Sequence, residues 1–286
     1  MVAVLAVTAE STDEGERLDI IELISRDIRA AAKLLTPAEA RFLVRQYYDV
    51  QEQRIRAYGQ VRASSQDGDP SALVVGMAKH FEAGERKAKE ALQGYAEGHE
   101  VGRWSLSITG IGPVIAAALV AEIDIEKAPT VGHIWRFAGL DPTTTWGKGE
   151  KRPWNADLKT LCWKLGESFV KTSGNEHEVY GTVYRQRKEQ EQSRNEAGLF
   201  ADQAARSLEE KKFRADTVAR QWYEQGKLPP ARIHLRAQRY AVKLFLAHWH
   251  HVAYEVRYGA PPPKPYIIEH DAAHTHFKAP PNWPMS

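Results

Sequence analysis

The sequence predicts an all-α protein. Apolar residues recur at intervals of three and four over most of the chain, which is the spacing of one face of a helix. Helix-capping patterns precede two of these stretches, and the one candidate strand, at 2–7, is weak. The chain has 286 residues, 43% hydrophobic and 27% charged, as expected for a folded globular protein.

Residues 1–100 are predicted to form a helical bundle or coiled coil. The sequence Ser11-Thr-Asp-Glu14 has the pattern of a capping box, and an apolar stripe from Leu18 to Leu35 follows it. A second box, Thr36-Pro-Ala-Glu39, puts proline at the first helical position and starts a long amphipathic helix. A charged helix over 71–98 completes the region, and antiparallel packing is the simplest arrangement.

The central segment, 101–171, contains a sharp bend between two short helices. A helix ends just before Gly110-Ile111-Gly112, and Pro113 starts the next one. Glycines permit the positive φ that such a bend needs, and this pattern is typical of a helix-hairpin-helix. The amide groups of Gly110, Gly112 and Val114 would then form an anion site suited to a DNA phosphate, and Ile111, between the glycines, is included among the candidate contacts. The alternative interpretation is a tight turn that only packs.

A second short helix ends at a glycine near 139, and a loop rich in cations and tryptophan follows it. Asn155 is placed to cap the next helix, at 156–170. Cations beside aromatic rings are typical of a nucleic-acid-binding surface, because the cations pair with phosphates and the rings stack on bases. The candidate contacts in this part are Lys148, Lys151, Arg152, Trp154 and Lys159. Alternatively, the tryptophans fill a small core and the lysines are solvated.

The segment 172–258 is predicted to form charged helices at 177–197, 199–224 and 231–258. Residues 101–286 carry 26 basic and 20 acidic residues, whereas residues 1–100 carry 13 basic and 17 acidic residues. A polyanionic partner would therefore bind the second half of the chain. In the last helix a basic stripe could follow a phosphate backbone or pair with acidic helices. The stripe consists of Arg232, Arg236, Arg239 and Lys243. A proline-rich tail, 259–286, is expected to be extended, either draped over the body or free.

Several motifs together resemble the C-terminal domain of the bridge-RNA-guided insertion-sequence transposases. They are Gly110-Ile-Gly-Pro-Val114, Phe137-Ala-Gly-Leu-Asp-Pro142, a Gly-Lys loop, and a helix that begins Asn155-Ala-Asp-Leu-Lys159. The resemblance covers about 101–171, and the charged helix before Trp104 is similar to the coiled-coil helix of that family. It implies an origin in a mobile element and a DNA partner.

Two departures from the family bear on catalysis. The resemblance implies an N-terminal nuclease domain of strands and helices with four acidic metal ligands, but 1–100 is predicted to be helical, so two-metal chemistry has no predicted site. The family also uses a serine nucleophile after the second hairpin, and no serine occurs from Ile108 to Glu167. The threonines at 143–145 could attack instead, although a secondary alcohol is a poor replacement.

The sequence therefore predicts a non-catalytic DNA-binding protein, derived from a transposase, that grips duplex phosphates. One alternative is a diverged transposase or recombinase that cleaves or transfers strands with a partner. Another is a scaffold protein in which the hairpin only packs. RNA is an alternative ligand, and a homo-oligomer formed through the N-terminal helices is expected.

Neither a cofactor nor a metal is predicted. Histidines cluster at 248–251 and at 270–276, but they lie beside the proline-rich tail with no element to orient them as ligands. The single cysteine, Cys162, excludes an internal disulfide and a cysteine zinc site. It indicates a reducing, cytoplasmic setting, and the lack of a basic region before the first apolar residues argues against a signal peptide. No apolar run approaches the ~20 residues of a membrane span, so no membrane partner is expected.

Overall fold

A computed structural model of the chain describes residues 28–66, 68–214, 216–263 and 278–285. Over these ranges its regular secondary structure is helical, with eleven α-helices and no strand, which confirms the predicted fold class. The capping box at 11–14, the candidate strand at 2–7 and the histidines at 270–276 lie outside the described residues. In chain order the helices are α1 (Ile28–Ala32), α2 (Pro37–Ser64), α3 (Ala72–Gly98), α4 (Glu100–Leu106), α5 (Pro113–Glu122), α6 (Val131–Phe137), α7 (Ala156–Thr172), α8 (Tyr180–Glu196), α9 (Ala201–Glu210), α10 (Val218–Glu224) and α11 (Pro230–Tyr258). A short 3₁₀ turn, Ile125–Lys127, connects α5 to α6.

Helices α2 and α3 pack along each other as an antiparallel pair. Thr36 forms the predicted capping box with Glu39, which satisfies amide groups at the start of α2. With 28 and 27 residues, the two helices are each about 40 Å long. Only the ends near the rest of the protein are well buried, through Tyr47 of α2 and Tyr95 of α3. We call residues 50–84 the arm, and those of them that the structure describes are partly or fully exposed apart from Ala78.

The main core forms where α5 and α11 cross the remaining helices. Helix α5 is rich in alanine, and its small side chains let it pack closely against α2, α3, α4 and α7. Helix α11 packs against α4, α6, α7 and α8. Its Phe245 stacks on Trp104 with ring centroids 5.7 Å apart. One apolar cluster includes residues from Ala40 to Ala253, so the predicted segments 1–100, 101–171 and 172–258 share a core.

The predicted helical stretch 199–224 is two helices rather than one. Helix α9 ends at Glu210, where consecutive glutamates face the negative end of the helix dipole. The chain then turns so that Phe213 packs against Tyr223, with ring centroids 5.3 Å apart. Together with Phe200 and Ile233, Tyr223 belongs to a small second core under α9 and α10.

The end of the proline-rich tail is docked on the helices. The indole of Trp104 donates to the carbonyl of Pro281 at 2.8 Å, and the amide of Asn282 donates to the carbonyl of Ser107 at 3.0 Å. His248 Nε2 lies 3.0 Å from the carbonyl of Lys278. Residues 278–285 are therefore draped over the body, which was one of the two predicted arrangements.

Candidate nucleic-acid interface

A sharp bend at 107–112, which we call the hairpin, connects α4 to α5. Gly110 has φ +91°, which a glycine adopts without strain. The side chains of Ile111 and Val114 are buried, and the Ile111 amide donates to the carbonyl of Ile108 at 3.0 Å. Gly112 is exposed, and a Cβ added to it would meet no atom within 4 Å. The bend is thus anchored through Ile111 and open at Gly112.

Three amides of the bend were predicted to hold an anion. Those of Gly110, Gly112 and Val114 have no acceptor among the described residues. The hairpin rests on the second half of α7, where Ser168 Oγ donates to the carbonyl of Gly110. A carboxylate is close by, since Thr172 Oγ1, next to Gly110, lies 3.4 Å from Glu178 Oε2. The hairpin therefore offers amide donors but no cation of its own.

The loop after α6 is held by backbone and aromatic contacts. Gly139 has φ +64° and lies so close to Trp154 that a Cβ there would be 2.9 Å from the indole. Asn155 caps α7 by accepting from the amide of Leu158 at 2.9 Å, as predicted. Its side-chain amide also donates to Glu122, whose pKa is raised mainly by burial. These contacts fix the start of α7 against the end of α5 and the loop after α6.

The cations of the loop are exposed. Lys148, Lys151 and Arg152 all lie at the surface, and the guanidinium of Arg152 stands 5.5 Å from the centre of the Trp146 ring. Trp146 is 44% exposed and contacts Trp154 edge-on. Trp154 is half-buried, so it contributes both to packing and to the surface.

A group of cations from three separate elements converges beside this loop. We call it the basic cluster: Arg152 of the loop, Lys159 of α7, and Arg232, Arg239 and Lys243 of α11. The pKa of Lys159 is lowered by burial and then by the charges of Arg152 and Arg239. Burial also lowers the pKa of Arg239, and Arg232 and Arg236 add to the effect.

Asp141 lies near enough to Lys243 to favour its charged form, but Lys159 and Arg239 lack an ion-pair partner in the described chain. Over the described residues, no carboxylate lies within 4.0 Å of the charged groups of Lys159 or Arg239. Lys159 Nζ stands 3.9 Å from the centre of the Trp154 ring, and Lys243 Nζ stands 4.1 Å from that of Trp135. Cations held on aromatic rings and repelled by one another favour an anionic ligand.

Arg236, the fourth member of the predicted stripe, points elsewhere. Its Nε donates to Glu191 Oε2 at 2.7 Å, and its guanidinium stands 4.6 Å from the centre of the Phe200 ring. Glu191 is fully buried and also pairs with Arg187. The guanidinium of Arg236 is therefore engaged by Glu191, which also pairs with Arg187 and Arg194, and we do not include Arg236 in the basic cluster.

The hairpin and the basic cluster lie on different sides of α7. The hairpin contacts Ser168, nine positions after Lys159, and nine positions are two and a half helical turns. Ser168 and Lys159 consequently project from opposite faces of the helix. The structure brings the loop, α7 and α11 cations together, but it does not bring them to the hairpin.

Next to the basic cluster is a cavity of about 360 Å³, which we call the α7–α11 cavity. Trp163, 56% exposed, lines it, as do Lys159 and Arg239. Asp141 and Gln238 add polar groups that sequence reasoning missed. The position of Trp163, one turn after Lys159, could have singled it out, but only the tertiary packing of α11 brings Gln238 there.

A larger cavity, of about 920 Å³, lies between α2, the end of α5 and α6. Arg41 reaches across it to donate to the carbonyl of Ala121 at 2.6 Å. Most of the other charges in its wall are paired with one another. These pairs are Arg45 with Asp157, Lys127 with Asp124, and Arg257 with Glu126. This cavity therefore offers less uncompensated charge than the basic cluster.

The threonines considered as replacement nucleophiles lie near Asp141. Thr143 Oγ1 donates to Asp141 Oδ1 at 2.8 Å, and the Thr143 amide donates to the same oxygen at 2.9 Å. These hydrogen bonds lower the pKa of Asp141, so its carboxylate is the stable form. Thr143 is exposed, near the start of the loop after α6.

The described histidines at 248–251 take part in packing. His248 bonds to the Tyr180 hydroxyl at 2.8 Å, and His250 Nε2 lies 2.8 Å from the carbonyl of Ala128. No group of three or more potential ligands that could hold a metal occurs within the described ranges. Among the described residues, no helix has the length and apolar character needed to cross a membrane.

One comparison with known proteins identifies a relationship. Residues 105–152 match the model of the family described as "Transposase IS116/IS110/IS902 family". The match begins in α4, covers the hairpin, α5 and α6, and ends in the cationic loop before Trp154. It supports a transposase-related domain within the segment 101–171, and it leaves α7 and α11 outside. No curated protein and no solved structure matches the chain.

Proposed function

We propose that the protein binds nucleic acid, with duplex DNA as its main ligand, through the basic cluster. The observation that carries this proposal is the convergence of Lys159 and Arg239 without a carboxylate partner in the described part of the chain. Trp146, beside Arg152, is 44% exposed, which suits contact with sugars or bases. The similarity of 105–152 to a transposase family favours DNA over other polyanions.

Binding is proposed to be non-catalytic and weakly dependent on sequence. Phosphate contacts fix position and carry no base information, and the basic cluster consists of side chains suited to phosphates. The free amides of Gly110, Gly112 and Val114 would form a separate contact on the other face of α7. RNA presents the same phosphate charge, so it belongs in the same test.

The experiment is a titration by fluorescence anisotropy at two ionic strengths. Duplex DNA, single-stranded DNA, branched DNA and RNA of equal length are compared. We expect duplex DNA to bind and its affinity to fall steeply with salt, because each neutralised phosphate releases counterion. The double variant K159A/R239A should lose most of this affinity, whereas K127A, which removes an 84%-exposed lysine elsewhere, should not. Equal affinity of the double variant and the wild type would overturn the proposal.

A second candidate function is strand cleavage or transfer. The hydrogen bond from the Thr143 hydroxyl to the Asp141 carboxylate favours it, since a hydroxyl within reach of a base is the arrangement of an activated nucleophile. A nicking assay on supercoiled DNA with magnesium tests it. Nicking that is lost in T143V would establish this function, and no nicking above that variant would reject it.

Self-association is proposed to occur through the arm. Leu73 and Met77, one turn apart on α3, are 76% and 50% exposed, and Ile55 of α2 is 54% exposed. Exposed apolar side chains on a helix pair are typical of an interaction surface. A second copy of the chain would bury them, in line with the homo-oligomer expected from the sequence.

A further inference from the structure

The α7–α11 cavity opens directly beside the basic cluster. The start of the loop after α6 forms one wall, and helices α7 and α11 form the other two. Its volume, about 360 Å³, is at the lower end of the ~300–1,000 Å³ range of small-molecule sites. It is therefore large enough for a small planar group and too small for a duplex.

The lining combines a flat aromatic surface with polar groups and cations. Trp163 is 56% exposed although it lines a cavity, so its side chain is accessible to a ligand. Asp141 supplies a carboxylate acceptor, and Gln238 an amide. Lys159 and Arg239 line the same space, and both residues are exposed. This combination fits a base attached to a charged backbone better than it fits a simple anion.

We propose that the α7–α11 cavity receives one unpaired nucleotide of the bound nucleic acid, whose base stacks on Trp163 while Lys159 and Arg239 hold the adjoining phosphates. The proposal rests on the proposed function, because the remaining nucleic acid lies across the basic cluster. A base paired within a duplex cannot reach the cavity, so the chain would favour sites where a base is already unpaired. Asp141 would accept a hydrogen bond from an amino group of the base.

The test uses two DNA duplexes of the same sequence, one fully paired and one with a single bulged 2-aminopurine. We expect the bulged duplex to bind about tenfold more tightly, since stacking on an aromatic ring adds affinity of that order. Stacking on Trp163 should also quench the fluorescence of the 2-aminopurine. Both effects should vanish in W163A, which should bind the paired duplex as the wild type does. W163F keeps a flat ring and should keep both effects in weaker form.

The matched control is F42A, which removes another exposed aromatic ring, on α2 and outside the cavity. It should retain the preference and the quenching. Equal binding of both duplexes by the wild type, or quenching that persists in W163A, would overturn the inference while leaving duplex binding intact. Failure of the wild type to bind either duplex would instead remove the proposed function, and the inference with it.

Discussion

Lys159 and Arg239 line the same cavity although they belong to different helices, α7 and α11. The charge of Arg239 adds to burial in lowering the pKa of Lys159, and no carboxylate of the described chain lies within ion-pair distance of either side chain. Two like charges held together in this way cost free energy that an anionic ligand would recover. The arrangement therefore makes the basic cluster a better candidate for phosphate contact than an ordinary charged helix face.

The first prediction concerns the salt dependence of duplex binding. If Lys159 and Arg239 each neutralise one phosphate, then K159A and R239A should each reduce the slope of log K against log salt by about 0.9. The measurement is an anisotropy titration at four or more salt concentrations. R56A removes an exposed arginine on the arm and should leave the slope unchanged. A slope that is the same in all variants would mean that neither cation meets a phosphate.

The second prediction separates two glycines of the hairpin. Gly112 has a negative φ and open space at its Cβ position, so G112A should fold with unchanged stability. Gly110 has φ +91° and a Cβ there would be 3.0 Å from Thr172 Oγ1, so G110A should lower the free energy of unfolding by about 1 kcal/mol or more. Urea denaturation measures both effects.

The G112A variant also tests whether the hairpin contacts a phosphate. A methyl group on Gly112 keeps a phosphate away from the free amides, so G112A should weaken duplex binding several-fold if that contact exists. Unchanged binding by a stable G112A would remove the hairpin from the interface and leave the basic cluster alone.

The sequence could predict the helices and their caps, but it could not predict which side chains of different helices contact each other. The caps at Thr36 and Asn155 and the bend at Gly110 follow from local patterns, and the structure has them as predicted. The four cations of the predicted stripe lie on one helix, α11, as their spacing predicts. The sequence could not show that Arg236 differs from the other three, because its partner Glu191 belongs to another helix, α8. Nor could the sequence show that Lys159 and the hairpin occupy opposite faces of α7.

The third prediction concerns the arm. Replacing both Leu73 and Met77 with glutamate puts two charges on the apolar face of α3, so a dimer formed there should dissociate. Light scattering coupled to gel filtration measures the mass directly. K79E, which changes the charge of the same helix without removing apolar surface, should remain dimeric. A monomeric wild type at high concentration would refute association through the arm.

The fourth prediction concerns the buried carboxylate of Glu191. Arg187 and Arg236 both pair with it, and it is fully buried. E191A would leave these guanidinium groups without their partner, and we expect the free energy of unfolding to fall by about 3 kcal/mol. E52A, which breaks the exposed pair with Arg56, should change it by less than about 1 kcal/mol. Urea denaturation curves of equal midpoint for E191A and E52A would contradict this account.

The fifth prediction concerns stability in acid. Burial lowers the pKa of His248 from 6.5 to about 4, so the folded protein keeps this imidazole neutral, between the Tyr180 hydroxyl and the carbonyl of Lys278. The unfolded chain binds a proton near pH 6.5 and the folded chain only near pH 4. The stability is therefore complete above pH 6.5 and is lost as the pH falls towards 4. The loss from this group amounts to about 3 kcal/mol.

Urea denaturation at pH 7.5, 5.5 and 4.5 measures this loss, and H248Q isolates it from other groups. Glutamine keeps a donor and an acceptor but does not titrate, so the variant should lose less stability than the wild type between pH 6.5 and 4. His250 also has its pKa lowered by burial, and it remains in both proteins, so its contribution cancels in the comparison. H80Q, on the arm, should follow the wild type. If H248Q and the wild type lose stability in parallel, the buried imidazole of His248 does not govern the acid sensitivity.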